Sequence, residues 1–346
     1  MSAPIAYFYP EGHSAHSQPN HPERPQRVEV IRHALEQAGL WQLGPQLPAE
    51  PLAADVLAAV HSPAMLQAIQ QHAAEQRNLD ADTYTTHRSW PLAQNAAAGA
   101  VAVARAVWRG EAQTGFALSR PPGHHATRSQ PMGFCLLNNV ALAAQHLLQH
   151  EGATRLAILD MDVHHGNGTQ DIFYERADVL FCNTQQLPLW PGTGRVEERG
   201  HGPGLGFTAN LPLPPGSGDA AFAAAYGDLF PALLDDFKPE MLLVSFGFDS
   251  HWKDPLANLQ VSAAGYGRSI ASLRQWAQQH CGGKIALVLE GGYDLDAAAA
   301  CGLAAVQALL GQEITDAVGP SPYAEDEEWK PVLDKARSLF LTTQER

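Results

Sequence analysis

Short, continuous apolar runs recur along the chain, and each is followed at once by a segment rich in Gly, Pro, Asp or His. The runs fall at residues 114–118, 156–159, 179–182, 241–246 and 285–289. Helix-like stretches at 91–108, 138–150, 220–237, 263–280 and 295–310 alternate with them. A continuous apolar run is typical of a strand that is buried on both faces. We therefore predict an α/β fold: one domain of three layers, α/β/α, around a central parallel sheet.

The polar segments after these runs are expected to meet at one edge of the sheet, because open parallel sheets bind ligands beyond the carboxyl ends of their strands. A domain boundary would separate the parts of such a site. We therefore predict one catalytic domain over residues 1–346. Its core would cover about residues 5–311, and a C-terminal extension, 312–346, would pack on that core.

Composition narrows the classes of partner. Lys and Arg total 22 against 36 Asp and Glu, and the net charge of −14 disfavours nucleic acid and anionic membranes while favouring cationic substrates. The four cysteines are widely spaced, so neither a disulfide framework nor a thiolate zinc site is indicated. The sequence shows neither a signal peptide nor a long apolar span, and this favours a cytoplasmic protein. A homo-oligomer is possible on this sequence.

Ligand-type residues stand at a spacing of two at the end of the 156–159 run: Asp160, Asp162 and His164. Side chains alternate between the two faces of extended backbone, so these three are predicted to project to one side. Carboxylate and imidazole together suit Zn²⁺ or another divalent metal. Asp249, after the 241–246 run, adds a third ligand beside Asp162 and His164. Three protein ligands leave a coordination position open, as a catalytic metal requires.

Two further segments carry groups suited to proton transfer. His124 and His125 follow Pro-Pro-Gly, and one of them could act as a general base near neutral pH. Asp160 is a candidate partner, since a carboxylate fixes the tautomer of an imidazole. Tyr293, preceded by two glycines, could direct its phenol at an oxyanion. Taken alone, the histidines would also fit a polar loop, and the tyrosine a buried turn.

Seven motifs occur together and in one order: His-Pro-Glu-Arg-Pro-Gln-Arg (21–27), Pro-Pro-Gly-His-His-Ala (121–126), Gly-Phe-Cys-Leu-Leu-Asn-Asn (133–139), Asp-Met-Asp-Val-His-His-Gly-Asn-Gly-Thr (160–169), Pro-Gly-Thr-Gly (191–194), Gly-Phe-Asp-Ser (247–250) and Glu-Gly-Gly-Tyr (290–293). In this combination the chain resembles the zinc-dependent histone deacetylase family of the arginase–deacetylase superfamily. The resemblance covers about residues 7–310 and is strongest to class II-like bacterial deacetylases and acetylpolyamine amidohydrolases.

The resemblance implies a role for each matched position. One catalytic Zn²⁺, which Fe²⁺ or Co²⁺ can replace, would be bound by Asp162, His164 and Asp249. The catalytic groups would be the general base His125 with His124, Tyr293, Asp160 and Asn167. The substrate tunnel would be lined by Phe134, Trp190, Leu256, Gly133 and Gly292.

Some matched positions depart from the family pattern. Asn167 stands where class I members carry Asp, so His125 should hold its proton less tightly than it would beside a carboxylate. Trp190 replaces the usual Phe or Tyr of the tunnel. The resemblance also implies a structural K⁺ near Asp160, although Asn183 and Thr184 stand where Ser-Thr or Ser-Leu is usual.

The implied activity is hydrolysis of an N-acetyl amide of lysine, or of a small acylated amine, to acetate and free amine. Hydrolysis of acetylpolyamines stays an open alternative. Leu256 disfavours it, because a polyamine enzyme would be expected to carry an acidic residue there to attract the distant ammonium of its substrate. The net charge of −14 favours it. A catalytically silent binding protein is disfavoured because every mapped position is filled. A dinuclear ureohydrolase is disfavoured because His251 stands where a second metal-binding Asp would be needed.

Overall fold

The computed structural model describes residues 2–341, and the end of the predicted C-terminal extension, 342–346, lies outside them. Within that range the centre of the fold is a seven-stranded sheet in which all paired strands are parallel. The strands are β1 (Ala3–Phe8), β2 (Ala112–Ala117), β3 (Leu156–Asp160), β4 (Val179–Gln186), β5 (Thr208–Leu213), β6 (Leu242–Phe246) and β7 (Ile285–Leu289). The predicted α/β fold with a central parallel sheet is confirmed.

Helices cover the sheet. They are α1 (Gln26–Gln37), α2 (Ala54–Val60), α3 (Pro63–Glu75), α4 (Ser89–Trp108), α5 (Asn139–His150), α6 (Asn167–Phe173), α7 (Asp219–Ala224), α8 (Phe230–Phe237), α9 (Ala263–His280), α10 (Leu295–Leu310) and α11 (Trp329–Leu341). Several begin at a side chain that accepts a hydrogen bond from a backbone N–H of the first turn, as Asn138, Ser262 and Asp294 do for α5, α9 and α10.

Alternate residues of each strand face two different hydrophobic cores. Leu159 and Val244 belong to the core that packs against α1 and α7–α11. Ile158 and Leu243 belong to the other, which packs against α2–α6. Because the central strands are apolar on both faces, they need a helical layer on each side, and this produces the three layers.

The strand order is β1-β2-β7-β6-β3-β4-β5. The first five strands in the chain therefore form the two sides of the sheet, and the last two, β6 and β7, fill the space between β3 and β2. This order makes β2, β7, β6 and β3 consecutive neighbours. Each of these strands leads into one of the candidate segments, at residues 118–125, 290–294, 247–251 and 161–167. The site is therefore assembled from loops that are far apart in sequence and adjacent at the carboxyl edge.

Some elements differ from the sequence expectation. Both outer strands went unpredicted: β1 contains Pro4, and β5 is interrupted by Asn210 and Pro212, residues that are unusual in a central strand. The helix expected over 220–237 is divided by a π-helical turn, Ala225–Leu229, between α7 and α8.

Within residues 2–341, no helix is long and apolar enough to cross a membrane.

Candidate active site

Three ligand-type side chains meet just beyond the ends of β3 and β6. One ligand atom each of Asp162, His164 and Asp249 lies within 4.8 Å of the other two. The Nδ1 atom of His164 is 3.2 Å from both Asp162 Oδ1 and Asp249 Oδ2. Strand β3 ends at Asp160, so Asp162 and His164 are placed by the bend that follows rather than by alternation along the strand. Asp160 turns away from this trio and toward His124.

Backbone N–H groups hold the two carboxylates. Gly291 N donates to Asp162 Oδ2 and Val163 N donates to Asp249 Oδ1, both at 2.8 Å. Burial opposes protonation of His164, but its hydrogen bonds to both carboxylates raise its pKa to about 10. Burial and the charge of Asp162 raise the pKa of Asp249 to about 6. Two buried carboxylates thus share the single positive charge of a protonated His164, and a divalent cation in place of that proton would balance them more fully.

The adjacent histidines are anchored separately. His124 Nδ1 lies 3.0 Å from Asp160 Oδ2, and His125 Nδ1 lies 2.8 Å from Asn167 Oδ1. Burial opposes charge on His124, but Asp162 and Asp160 raise its pKa well above the usual value. Burial and the neighbouring His124 hold the pKa of His125 well below its usual value. His125 is therefore a neutral imidazole that donates from Nδ1 to Asn167 and keeps Nε2 free to accept a proton.

A cavity of about 240 Å³ opens above these groups. Its lining residues are Asp82, His125, Gly133, Phe134, His164, Leu189, Trp190, Leu256 and Tyr293. Trp190 meets His125 edge to face, with ring centroids 4.7 Å apart. Gly133 has φ +56°, and a Cβ there would lie 2.5 Å from Trp190 and 2.6 Å from His125, so only glycine fits. Gly292, expected in the tunnel, lies outside this lining, and its backbone is packed against the ring of Phe248.

Tyr293 is held at the cavity by contacts to its own backbone. Tyr293 N donates to Asp254 Oδ2 at 2.7 Å, and the preceding carbonyl, of Gly292, accepts from Arg27 Nε at 2.5 Å. The guanidinium of Arg27 lies 4.9 Å from the centre of the Tyr293 ring. Burial raises the pKa of Tyr293 well above its usual value, so the phenol keeps its proton and can donate a hydrogen bond.

Sequence reasoning gave no role to several buried charges that support these loops. Arg27 and Arg120 are both fully buried and both contact Glu23. Burial opposes ionisation of Glu23, but the two arginines lower its pKa to about 2. Glu290 accepts from the backbone N–H groups of Gly123 and His124, at 2.7 and 3.1 Å. The motif at 21–27 is the sequence signal for Glu23 and Arg27, but their buried pairing depends on tertiary contacts.

Comparison with known proteins identifies similar chains. The model of the histone deacetylase domain matches residues 21–309. A probable deacetylase of Archaeoglobus fulgidus is 37% identical over 327 residues, which cover 93% of this chain and 90% of the relative. A histone deacetylase-like amidohydrolase of Pseudomonas aeruginosa is 36% identical over 293 residues, covering 84% of this chain and 77% of the relative. A crystal structure of the HDA15 HD domain superposes with a TM-score of 0.89 at 32% identity, covering 99% and 95% of the two chains.

Proposed function

This chain belongs to the histone deacetylase family, and on that premise we propose that it hydrolyses the N-acetyl amide of lysine or of a small acylated amine. One observation carries the proposal: a metal-ligand trio, an anchored histidine pair and a protonated phenol each contribute a side chain, His164, His125 and Tyr293, to the lining of one cavity. We propose further that residues 1–346 form a single catalytic domain, and contacts between α11 and β5 support this. The cellular location and the oligomeric state of the protein stay predictions from the sequence.

The donor set fits a single divalent ion such as Zn²⁺. Asp162, His164 and Asp249 would hold it, since their ligand atoms already converge and each carboxylate is oriented by a backbone N–H. His251 takes no part in this trio: its Nδ1 accepts from Lys253 N, at 3.1 Å. When bound, Zn²⁺ supplies Lewis acidity toward the amide carbonyl and toward water.

The side chains around the ion would move the protons. His125 Nε2 takes a proton from the attacking water, because Asn167 holds the other ring nitrogen as the donor. The phenol of Tyr293 donates a hydrogen bond to the oxyanion that forms on the carbonyl oxygen. The amide C–N bond then breaks as the histidine pair returns a proton to the nitrogen, giving acetate and a free amine. Asp160 orients His124 throughout this sequence.

The shape of the cavity supports a slender, linear amine as the substrate. Its side walls are largely apolar, formed by Phe134, Trp190 and Leu256, and they suit an alkyl chain that ends in an acetamide. A second candidate is an acetylated polyamine. It is favoured by the exposed carboxylate of Asp82, which borders the same cavity and would attract a distant ammonium.

The test is release of free amine from a panel of acetyl-lysine peptides, trifluoroacetyl-lysine, acetylputrescine, acetylspermidine and small acetylated amines. Zn²⁺-loaded wild type is compared with His125→Ala. We expect turnover in the wild type only, and the best substrate separates the lysine and polyamine candidates. Absence of turnover on the whole panel, with zinc bound and the protein folded, would instead favour a protein that binds acylated partners without cleaving them.

A further inference from the structure

The resemblance to the family predicts a K⁺ ion held by Asp160 and by backbone carbonyl oxygens near His164, beside Asn183 and Thr184 of β4. Such an ion needs oxygen atoms with free lone pairs directed at one point. The carbonyl oxygens of Asp160 and Thr184 are candidates for this role. In this chain, however, the side chain of Asn183 lies between them.

The Asn183 amide makes contacts that an ion would otherwise make. Its Nδ2 donates to Asp160 O at 3.3 Å and to Thr184 O at 3.0 Å. Asn183, Thr184 and Asp160 are all fully buried. An NH₂ group directed at two carbonyl oxygens occupies the position from which a cation would bind both of them.

A third contact fixes the orientation of this amide. Asn183 Oδ1 accepts from Gly166 N at 2.9 Å. Rotating the amide by 180° would turn its oxygen toward the two carbonyl oxygens and its NH₂ toward the Gly166 N–H, so all three hydrogen bonds would be lost. The Asp160 carboxylate packs against Gly166 on the side where a Cβ would stand, 2.2 Å from Asp160 Oδ2. Asn183 is therefore held with its donor toward the carbonyls.

The Asp160 carbonyl has a further partner. The hydroxyl of the fully buried Tyr226 donates to Asp160 O at 2.9 Å and lies 2.7 Å from Thr184 Oγ1. A carbonyl oxygen has two lone pairs, and three polar groups already surround this one: Asn183 Nδ2, the Tyr226 hydroxyl and, at 3.5 Å, Thr184 Oγ1. The residues present therefore do not fit a K⁺ ion at this place.

We propose that the Asn183 amide replaces the monovalent cation, so that the protein is stabilised and active without K⁺ or Na⁺. The amide joins the ends of β3 and β4 with neutral hydrogen bonds, in place of an ion recruited from solution. The inference is independent of the substrate, because it concerns only how the loop behind Asp160 is held.

The experiment measures the melting temperature of the full zinc-loaded chain in KCl, NaCl and tetramethylammonium chloride at equal ionic strength. We expect the same melting temperature for the wild type in all three salts. Asn183→Ser removes the NH₂ group and offers a hydroxyl, so KCl should raise the melting temperature of that variant by roughly 2–4 °C relative to tetramethylammonium. Turnover in the same salts is a second readout, and the melting temperature remains informative if no substrate is cleaved.

Asn210→Ser is the matched control. Asn210 pairs with Asn183 in the neighbouring strand and is equally buried, but its Nδ2 donates to Gln170 Oε1 and away from Asp160. This control should respond to all salts alike. A rise in the melting temperature of the wild type that is selective for K⁺ overturns the proposal. A folded Asn183→Ser variant whose melting temperature does not rise in KCl also overturns it. So does a rise in Asn210→Ser that equals the rise in Asn183→Ser. If Asn183→Ser does not fold, the wild-type comparison still decides.

Discussion

The floor and the rim of the cavity are held in place in different ways. The floor consists of His125 and His164, which line the cavity, and of Asp162 and Asp249, whose ligand atoms converge with that of His164. Its side chains are mostly buried, and hydrogen bonds from the loops after β3 and β7 hold its carboxylates and His125. The rim consists of Asp82, Phe134, Trp190 and Leu256. It is closer to solvent, and Trp190 keeps 43% of its surface exposed.

This difference separates two functions. Groups that move protons or stabilise an oxyanion need fixed positions, because small displacements lower the rate steeply. Groups that select a substrate can sit on exposed loops, where a change alters contacts without disturbing the reacting atoms. We therefore expect substitutions in the floor to lower turnover of every substrate and substitutions in the rim to change the ratio between substrates.

The largest effect is expected for Asp249→Asn. The amide removes one of two buried carboxylates, so zinc affinity should fall and turnover of every substrate should drop by more than about 10²-fold. The measurement is zinc content by atomic emission beside turnover. Asp82→Asn makes the same chemical change in the rim and should keep its zinc. If both variants keep zinc and turnover alike, the distinction between floor and rim is wrong.

Tyr293→Phe tests the oxyanion contact at the boundary of the two regions. Loss of one hydrogen bond donor should lower kcat by about 10²–10³ with little change in KM, because the contact strengthens only in the transition state. Steady-state kinetics and the melting temperature are measured together. A variant that keeps nearly full activity on a good substrate would remove Tyr293 from the mechanism.

Asp254 connects floor to rim, since its carboxylate accepts from Tyr293 N at 2.7 Å and from Leu256 N at 3.0 Å. Asp254→Asn should lower kcat by about 10-fold through misplacement of Tyr293. The double variant with Tyr293→Phe separates the two effects. If Asp254 acts by positioning the phenol, its loss should add little once the hydroxyl is gone, whereas fully additive losses would contradict that role.

Leu256→Glu should act on selectivity. A carboxylate in the rim attracts the distant ammonium of a polyamine, and for a partly exposed charge the gain in kcat/KM for acetylspermidine should be about 3- to 10-fold. Turnover of a small neutral acetamide should stay nearly unchanged. Leu256→Gln is the uncharged control. Equal changes for both substrates would indicate that Leu256 supports the floor.

The smallest effect on turnover is expected from His61, which lies outside both regions. Its Nδ1 is 2.9 Å from Thr127 O, and its Nε2 accepts from Asn138 N at 2.9 Å. Burial lowers its pKa to about 4, below the usual 6.5. As pH falls from 6.5 toward 4, His61 therefore binds a proton in the unfolded chain before it does so in the folded protein. The contribution of neutral His61 to the free energy of unfolding, about 3 kcal/mol, is lost across that pH window.

Chemical denaturation at several pH values measures this contribution. His61→Gln cannot titrate, so its free energy of unfolding should fall less steeply between pH 6.5 and 4 than that of the wild type. Above pH 6.5 the two curves should run parallel. Identical slopes at all pH values would show that His61 is not held neutral by the fold.

Much of the fold could be predicted from local pattern. The runs at β3, β4, β6 and β7 are apolar enough to identify buried strands, whereas β1 and β5 carry prolines and, in β5, an asparagine that obscure them. The π-helical turn Ala225–Leu229 left no clear signal, because its residues continue the helical pattern on both sides. The local pattern of apolar residues thus identifies strands that are buried along their whole length. It does not identify strands that contain residues unfavourable to a strand and are held in the sheet by contacts with neighbouring elements.

The sequence by itself determines which chemistry is available, because Asp, His and Tyr residues follow directly after apolar strands and must therefore lie at the carboxyl edge of the sheet. Only the tertiary structure decides how they meet. The adjacency of β2, β7, β6 and β3 brings His124 to Asp160. Long-range packing places Arg27 beneath the Tyr293 loop and orients the Asn183 amide. These contacts join residues that are far apart in the sequence, so no local pattern specifies them.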